Sequence, residues 1–144
     1  MPSHLHGCRM PARLVALPLA ATLLLTGCAG RGSAEDDAVG DTATTFLAAA
    51  ASAPQSGCDL LAPATLDQLR SDDEDCGDAV SAAAPKGDIA STPPTIQVYG
   101  RDAMVRWADQ TLFLARFDDG WRVTAAGCKP RGEDLPYDCT IEGR

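Results

Sequence analysis

The stretch that decides the fold is residues 117–128, FDDGWRVTAAGC, near the end of the 144-residue chain. The residues DDG at 118–120 are a turn signal between two runs of alternating apolar and polar residues, and glycine suits the left-handed backbone of tight turns. Alternation with a period of two places successive side chains on opposite faces of a strand. The stretch therefore predicts a β-hairpin formed by strands 111–117 and 121–127.

The length of the hairpin loop decides which side chains share a face of the sheet. A three-residue loop pairs Phe117 with Trp121 and gives an apolar face with a single charge, and we favour it because that core is the more coherent. The members of this face are Met104, Arg106, Phe113, Ala115, Phe117, Trp121, Val123 and Ala125. A two-residue loop is the alternative, and it shifts the register so that the faces exchange partners.

Arg106 is the one charged member of the favoured face and the basis of a candidate pocket. The three-residue register predicts that it lines this pocket with Phe113, Phe117 and Trp121. A guanidinium there would bind an anionic ligand in a bidentate way. The alternative is that the long side chain reaches the rim of the sheet and stays solvated.

The second face is too apolar to face water comfortably in this register. It holds Val105, Trp107, Leu112 and Leu114 beside Arg116, Arg122 and Thr124. We expect the C-terminal segment 129–144 to cover part of it, or a second copy of the chain in a homodimer.

Outward from the hairpin, the period of two continues in strands predicted at 95–99, 103–108 and 137–142. Upstream, the period changes to about 3.6, which predicts three helices.

The first helix, 42–52, is capped by Asp41, with Phe46, Leu47 and Ala50 on one stripe. The second helix begins at Pro63 and runs to about residue 70. The third follows a capping box at 71–74 and runs to about residue 84. Three helices followed by an antiparallel sheet predict an α+β fold.

The N-terminal residues predict export and a lipid anchor. Residues 1–13 are basic, and the apolar run 14–25 would span about 18 Å as a helix, too short to cross a bilayer core of about 30 Å. The following Leu25-Thr26-Gly27-Cys28 resembles the lipobox of bacterial lipoproteins. That resemblance implies cleavage before Cys28, acylation of its thiol and a position on the extracytoplasmic face of the cell membrane.

An ordinary signal peptide with a chance cysteine is the alternative. The domain prediction is a signal peptide at 1–27, a lipidated flexible tether at 28–40 and an α+β domain at 41–144.

Charge narrows the range of partners. The chain carries 20 acidic and 12 basic residues, for a net charge of −8. This balance argues against nucleic acid as a partner and against membrane binding by charge alone. The membrane contact that we expect is made through the N-terminal lipid.

Four cysteines remain once Cys8 and the acylated cysteine are set aside: Cys58, Cys76, Cys128 and Cys139. Three pairings are formally open. We predict the local disulfides Cys58–Cys76 and Cys128–Cys139, since exported proteins favour disulfides and neither pair has the spacing of a zinc knuckle.

Two further groups of residues could be taken for a calcium site or a catalytic site, and both are better explained by their place in the fold. The acidic run 72–75 lacks the ligand spacing of a calcium loop and is typical of a solvated helix start. The nearest candidates for catalysis are Tyr99, Asp102 and Asp109, and the latter two are expected to be exposed. We therefore predict no metal, no cofactor and no enzymatic activity.

The stretches FLAAA (46–50), CDLLAP (58–63), TLDQL (65–69) and FDDGWRVTAAGC (117–128), with Cys76, resemble small actinobacterial lipoproteins of the NTF2-like superfamily. The resemblance covers about residues 42–128. It implies a curved sheet wrapped around helices to form a cone with a pocket.

Together these observations predict a lipid-anchored, non-enzymatic binding or accessory module of the cell envelope, with a small ligand or an envelope protein as its partner. The alternative is a cone-pocket enzyme of the cyclase or isomerase type that uses a carboxylate base, as in some members of that superfamily.

Overall fold

The structure, a computed structural model, describes residues 29–143, with the backbone alone described at residues 29–33 and at Ala90. The predicted signal peptide and Cys28 lie outside the described residues. The helices are α1 Ala29–Ser52, α2 Pro54–Cys58, α3 Pro63–Ser71 and α4 Cys76–Ala82, with a 3-10 turn at Ile89–Ser91. The strands are β1 Thr95–Tyr99, β2 Asp102–Arg106, β3 Thr111–Phe117, β4 Gly120–Cys128 and β5 Ile141–Glu142.

The five strands form one open antiparallel sheet in the order β1-β2-β3-β4-β5. Each strand pairs with its neighbour in sequence, so no connection crosses the sheet: the first three connections are short turns, and the last is the longer segment 129–140. The helices precede the sheet in the chain, and the predicted α+β class is confirmed. The last strand is shorter than the predicted 137–142, and only an isolated bridge between Lys129 and Asp138 precedes it.

Helix α1 is longer than the sequence analysis predicted. Residues 29–40, expected to be a flexible tether, are its first half. The physical reason is that Val39 and Ala43 extend the buried stripe of Phe46 and Ala50 by about two turns, at the spacing of three to four residues that one helix face requires. The helix covers the sheet with this stripe, so the tether prediction is wrong for these residues.

The predicted helix 63–70 is confirmed as α3, but the predicted capping box at 71–74 is wrong. Ser71 is the last residue of α3, and its hydroxyl donates a 2.8 Å hydrogen bond back to the Asp67 carbonyl. Asp73 then turns the chain with φ of 55°. The residue that caps α4 is Asp75, whose carboxylate accepts from the Asp78 amide at 3.1 Å.

Helix α2 was not predicted: the first predicted helix ends at residue 52 and the second begins at Pro63. Pro54 is suited to the first turn of a new helix, where no intrahelical amide donor is needed.

The hairpin has the shorter of the two loops that were considered. Phe117 pairs with Gly120, so that Asp118 and Asp119 alone form the loop. The favoured three-residue register is therefore wrong near the turn. Register shifts farther along β3 pair Phe113 with Ala125, the partner that a three-residue loop would also give it.

The shorter loop exchanges the faces of the sheet. The buried inner face joins the β2 and β3 apolar members of the predicted second face to Trp121 and Val123 of the predicted first face, and α1 packs on it. The buried residues of this core include Val39, Phe46, Leu47, Val105, Trp107, Leu112, Leu114, Trp121 and Val123. The outer face carries the half-buried Met104, Phe113 and Phe117.

The C-terminal segment crosses part of the outer face. The ring of Tyr137 packs edge-on against Phe113 with a centroid distance of 5.1 Å. Its hydroxyl lies 3.9 Å from the sulfur of Met104. The segment therefore covers the face opposite to the one for which it was predicted.

Candidate functional site

The structure does not bring the predicted pocket residues together. Trp121 is buried on the inner face, whereas Phe113 and Phe117 are half-buried on the outer face. Arg106 is exposed at the end of β2. The prediction that Arg106 lines a pocket with these aromatic residues is wrong, because it depended on the three-residue loop. Phe117 instead borders a shallow groove of about 210 Å³ that it shares with Leu66 and Arg122.

Both predicted disulfides are confirmed. Cys58 and Cys76 join α2 to α4, with their Cα atoms 6.0 Å apart. Cys128 and Cys139 join the end of β4 to the segment that precedes β5, with a Cα separation of 3.9 Å. The two bonds therefore stabilise opposite halves of the fold, one among the helices and one at the edge of the sheet.

One end of the sheet receives the start of α1. Here the Glu35 carboxylate accepts a 3.0 Å hydrogen bond from the indole nitrogen of Trp121 and pairs with the Arg116 guanidinium. The Arg101 guanidinium, in the β1–β2 turn, donates a 2.7 Å hydrogen bond to the Arg116 carbonyl. We call this end, formed by the β1–β2 and β3–β4 turns, the anchor edge.

At the tip of the anchor edge, Arg122 donates to the carboxylate of Asp119 and to the Asp59 carbonyl. The hydrogen bond from Arg122 lowers the pKa of Asp119 below its ordinary value. Sequence reasoning missed Glu35, because it lies in the predicted tether. The buried stripe that continues back to Val39 was the signal that could have found it.

The opposite end of the sheet carries a notch of about 180 Å³. It is lined by Ala82, Ala83, Ala84, Lys86, Asp109, Gln110, Gly127, Lys129 and Thr140. We call it the lysine notch, because Lys86 and Lys129 are the only two lysines of the chain. The sequence signal was the rarity of lysine itself, although the fold was needed to bring two residues 43 positions apart together.

The three candidates for catalysis do not converge. Tyr99 and Asp102 pair at the anchor edge, and Tyr99 is 61% exposed. Asp109 is exposed at the other end of the sheet, where it borders the lysine notch. Acid–base catalysis requires groups within hydrogen-bond reach of one reacting atom, and these residues lie at opposite ends of β2. Nothing in their placement favours the enzyme alternative.

The described residues contain no group of three or more histidine, cysteine, aspartate or glutamate side chains placed to hold a metal ion. In the acidic run, Asp72, Asp73 and Glu74 are exposed and Asp75 caps α4, in agreement with a helix start. Between residues 29 and 143, no helix is long and apolar enough to cross a membrane.

Comparison with known protein families, with curated proteins and with solved structures finds no match to this chain.

Proposed function

We propose that this protein is a lipid-anchored domain on the extracytoplasmic face of the cell membrane, where it acts as a non-enzymatic binding or accessory module. The observation that carries the proposal is Leu25-Thr26-Gly27-Cys28, placed directly after a short apolar run with a basic start. Two acyl chains hold a protein stably on a bilayer, since each buried methylene contributes about 0.8 kcal/mol.

The two disulfides support an exported location. Disulfides form and persist in oxidising compartments and are rare where glutathione keeps thiols reduced. All four cysteines of the described residues are paired. A chain that folds outside the cytoplasm accounts for this pairing.

Helix α1 supports a close and oriented attachment to the membrane. Its first residue, Ala29, directly follows Cys28, and the segment from Ala29 to Glu35 spans about 9 Å at 1.5 Å per residue. Glu35 is already bound to the hairpin through Trp121. A lipid on Cys28 would therefore lie close to the anchor edge, and the exposed Tyr99 at that edge suits the membrane interface.

This attachment would turn the lysine notch away from the membrane. From Trp121 to Cys128, β4 advances about 24 Å at roughly 3.4 Å per residue. A ligand or partner that approaches from the aqueous side would meet this far end of the sheet first.

An NTF2-like cone is the finer fold proposal. It draws support from helices packed on one face of an antiparallel sheet and from the sequence resemblance. An experimental structure in which the sheet curls around α1 and closes a cavity would agree with it. A flat sheet with no cavity beneath it would contradict it.

The test of the anchor is to replace Cys28 with alanine and to fractionate cells without detergent. We expect Cys28→Ala to move the protein out of the membrane pellet, and mass spectrometry of the wild-type N-terminal peptide to show an acylated Cys28. The matched control is Cys8→Ala, which removes a cysteine of the signal peptide and leaves the lipid site intact. Retention of Cys28→Ala in the pellet at the wild-type level would show that the proposal is wrong.

A further inference from the structure

The lysine notch concentrates a rare residue type at one place. The chain has two lysines among its 12 basic residues and a net charge of −8, yet both lysines border the same notch. The ion pairs found in the described residues all use arginine, at positions 70, 116 and 122. Among the described residues, no carboxylate forms an ion pair with either lysine.

The two lysines extend from different kinds of backbone. Lys129 exchanges two backbone hydrogen bonds with Asp138, at 2.8 and 2.9 Å, directly beside the disulfide of Cys128 and Cys139. Lys86 follows the end of α4 and the half-buried Pro85. The sheet frame therefore fixes one side of the notch at Lys129, and the loop after α4 supplies the other at Lys86.

Gln110 adds a donor that lacks an acceptor. It is 6% exposed, and its side-chain nitrogen Nε2 is buried without a hydrogen-bond partner among the described residues. A buried donor without a partner costs about 1–3 kcal/mol. Its backbone is already used, because the Gln110 carbonyl accepts a 2.9 Å hydrogen bond from the Trp107 amide. Because Gln110 borders the notch, its side-chain nitrogen is the donor nearest to hand for an oxygen atom bound there.

The charge and the volume of the notch limit the class of ligand that could supply an oxygen to Gln110. The lining has two lysines against one acid, Asp109, which leaves a single net positive charge. The C-terminal end of α4 also borders the notch at Ala82–Ala84, and a helix C-terminus carries partial negative charge. The single net charge of the lining matches a monoanion, and the helix end disfavours a doubly charged phosphate more strongly than a monoanion. A volume of about 180 Å³ holds a small molecule or the end of a larger one.

We propose that the lysine notch binds a carboxylate, with Lys86 and Lys129 supplying the charge and the Gln110 amide donating a hydrogen bond to a carboxylate oxygen. This deepens the proposed binding function by naming its ligand class. It does not depend on the lipid anchor, since every residue of the notch belongs to the described domain.

The test is an NMR titration of the 15N-labelled full chain in detergent micelles with acetate, at constant ionic strength set with chloride. We expect the Gln110 side-chain amide signals to shift and to saturate. Lys86→Met and Lys129→Met should each weaken acetate binding roughly tenfold, the effect of one charge-assisted hydrogen bond. Both lysines are exposed, so these variants keep the fold.

The matched control is Arg106→Met, which removes one positive charge from the outer face and should leave acetate binding unchanged. Inorganic phosphate, titrated where it is mostly a dianion, should bind more weakly than acetate. The proposal is overturned by a Gln110 signal that does not saturate, by an equal loss in Arg106→Met, or by tighter binding of phosphate. Cys28→Ala protein should give the wild-type titration, so a failed anchor and a failed notch are distinguishable.

Discussion

Glu35 and Trp121 are joined by a 3.0 Å hydrogen bond between a carboxylate near the start of α1 and the indole nitrogen at the start of β4. They lie 86 positions apart in the chain. Trp121 is 7% exposed, so its N–H group has little access to water. The carboxylate also pairs with Arg116, and it therefore fastens the first turns of α1 to the hairpin.

We predict that Glu35→Ala destabilises the protein by about 1–3 kcal/mol, the cost of leaving a buried donor without an acceptor. Urea unfolding, followed by tryptophan fluorescence, measures the change. Glu35→Gln should lose less, because the amide oxygen can still accept from Trp121.

The matched control for this pair is Asp37→Ala, which removes an exposed acid two residues along the same helix. It should change the free energy of unfolding by no more than about 0.5 kcal/mol. Equal losses in Glu35→Ala and Asp37→Ala would mean that general charge, and not the bond to Trp121, decides the stability here.

The second prediction compares the stability cost of substitutions at two neighbouring residues that lie on opposite faces of β2. Val105 is fully buried against α1, whereas Arg106 is exposed on the other face. Val105→Ala should cost about 2 kcal/mol through lost burial and an unfilled cavity. Arg106→Ala should stay within about 0.5 kcal/mol of wild type. Thermal unfolding of both variants decides between the two hairpin registers, because the three-residue loop predicts the reverse order.

The comparison of hairpin registers shows what the sequence could and could not predict. Alternation in FDDGWRVTAAGC was sufficient for the strands and for the α+β class. It was insufficient for the faces, since both faces of β3 are apolar and one residue in the loop exchanges them. The structure resolves this with long-range contacts that no local pattern contains, above all the bond between Glu35 and Trp121.

For the candidate site, too, a local sequence pattern predicts local contacts and misses long-range ones. The cysteine pairs were predictable, because two lie in the helical half and two flank the end of the last long strand. The lysine notch was not, because its residues come from the loop after α4, the β2–β3 turn and the end of β4. Their sequence spacing carries no motif, and only the folded sheet brings them together.

The disulfides give the third prediction. Replacing both members of a pair with alanine should destabilise the protein by roughly 3 kcal/mol in the chain-entropy model. Cys58–Cys76 closes the longer loop, with a sequence separation of 18 against 11 for Cys128–Cys139, so its loss should cost slightly more. Urea unfolding without reductant measures both losses, and peptide mapping without reductant checks the pairing. Peptides that link Cys58 or Cys76 to the C-terminal pair would contradict the structure.

The fourth prediction concerns the hydrogen bond between Arg122 and Asp119. It lowers the pKa of Asp119 in the folded protein, so this carboxylate contributes stability above its unfolded pKa and loses it as the pH falls through the folded value. Arg122→Met should raise the pKa of Asp119 towards its ordinary value, as measured by NMR titration of the carboxyl carbon. Arg101→Met, a cation in the adjacent turn, should leave that pKa unchanged. A pKa of Asp119 that is the same in Arg122→Met and wild type would contradict the bond.

The last prediction uses two glycines with the same backbone angle and different surroundings. Gly127 and Gly100 both have φ of 66°, which an L-residue adopts at a cost of about 1–2 kcal/mol. A Cβ atom on Gly127 would stand 2.6 Å from the Thr140 hydroxyl oxygen, whereas one on Gly100 would meet nothing within 4 Å. Gly100→Ala should therefore show the backbone cost alone, and Gly127→Ala should lose a further 1–3 kcal/mol or so from overpacking. Thr140→Ala should recover part of that extra loss in Gly127→Ala and none in Gly100→Ala, since only the first pair is in contact. Urea unfolding of these variants measures each difference, and equal losses in the two glycine variants would show that β4 and the segment before β5 are not packed as closely as the structure has them.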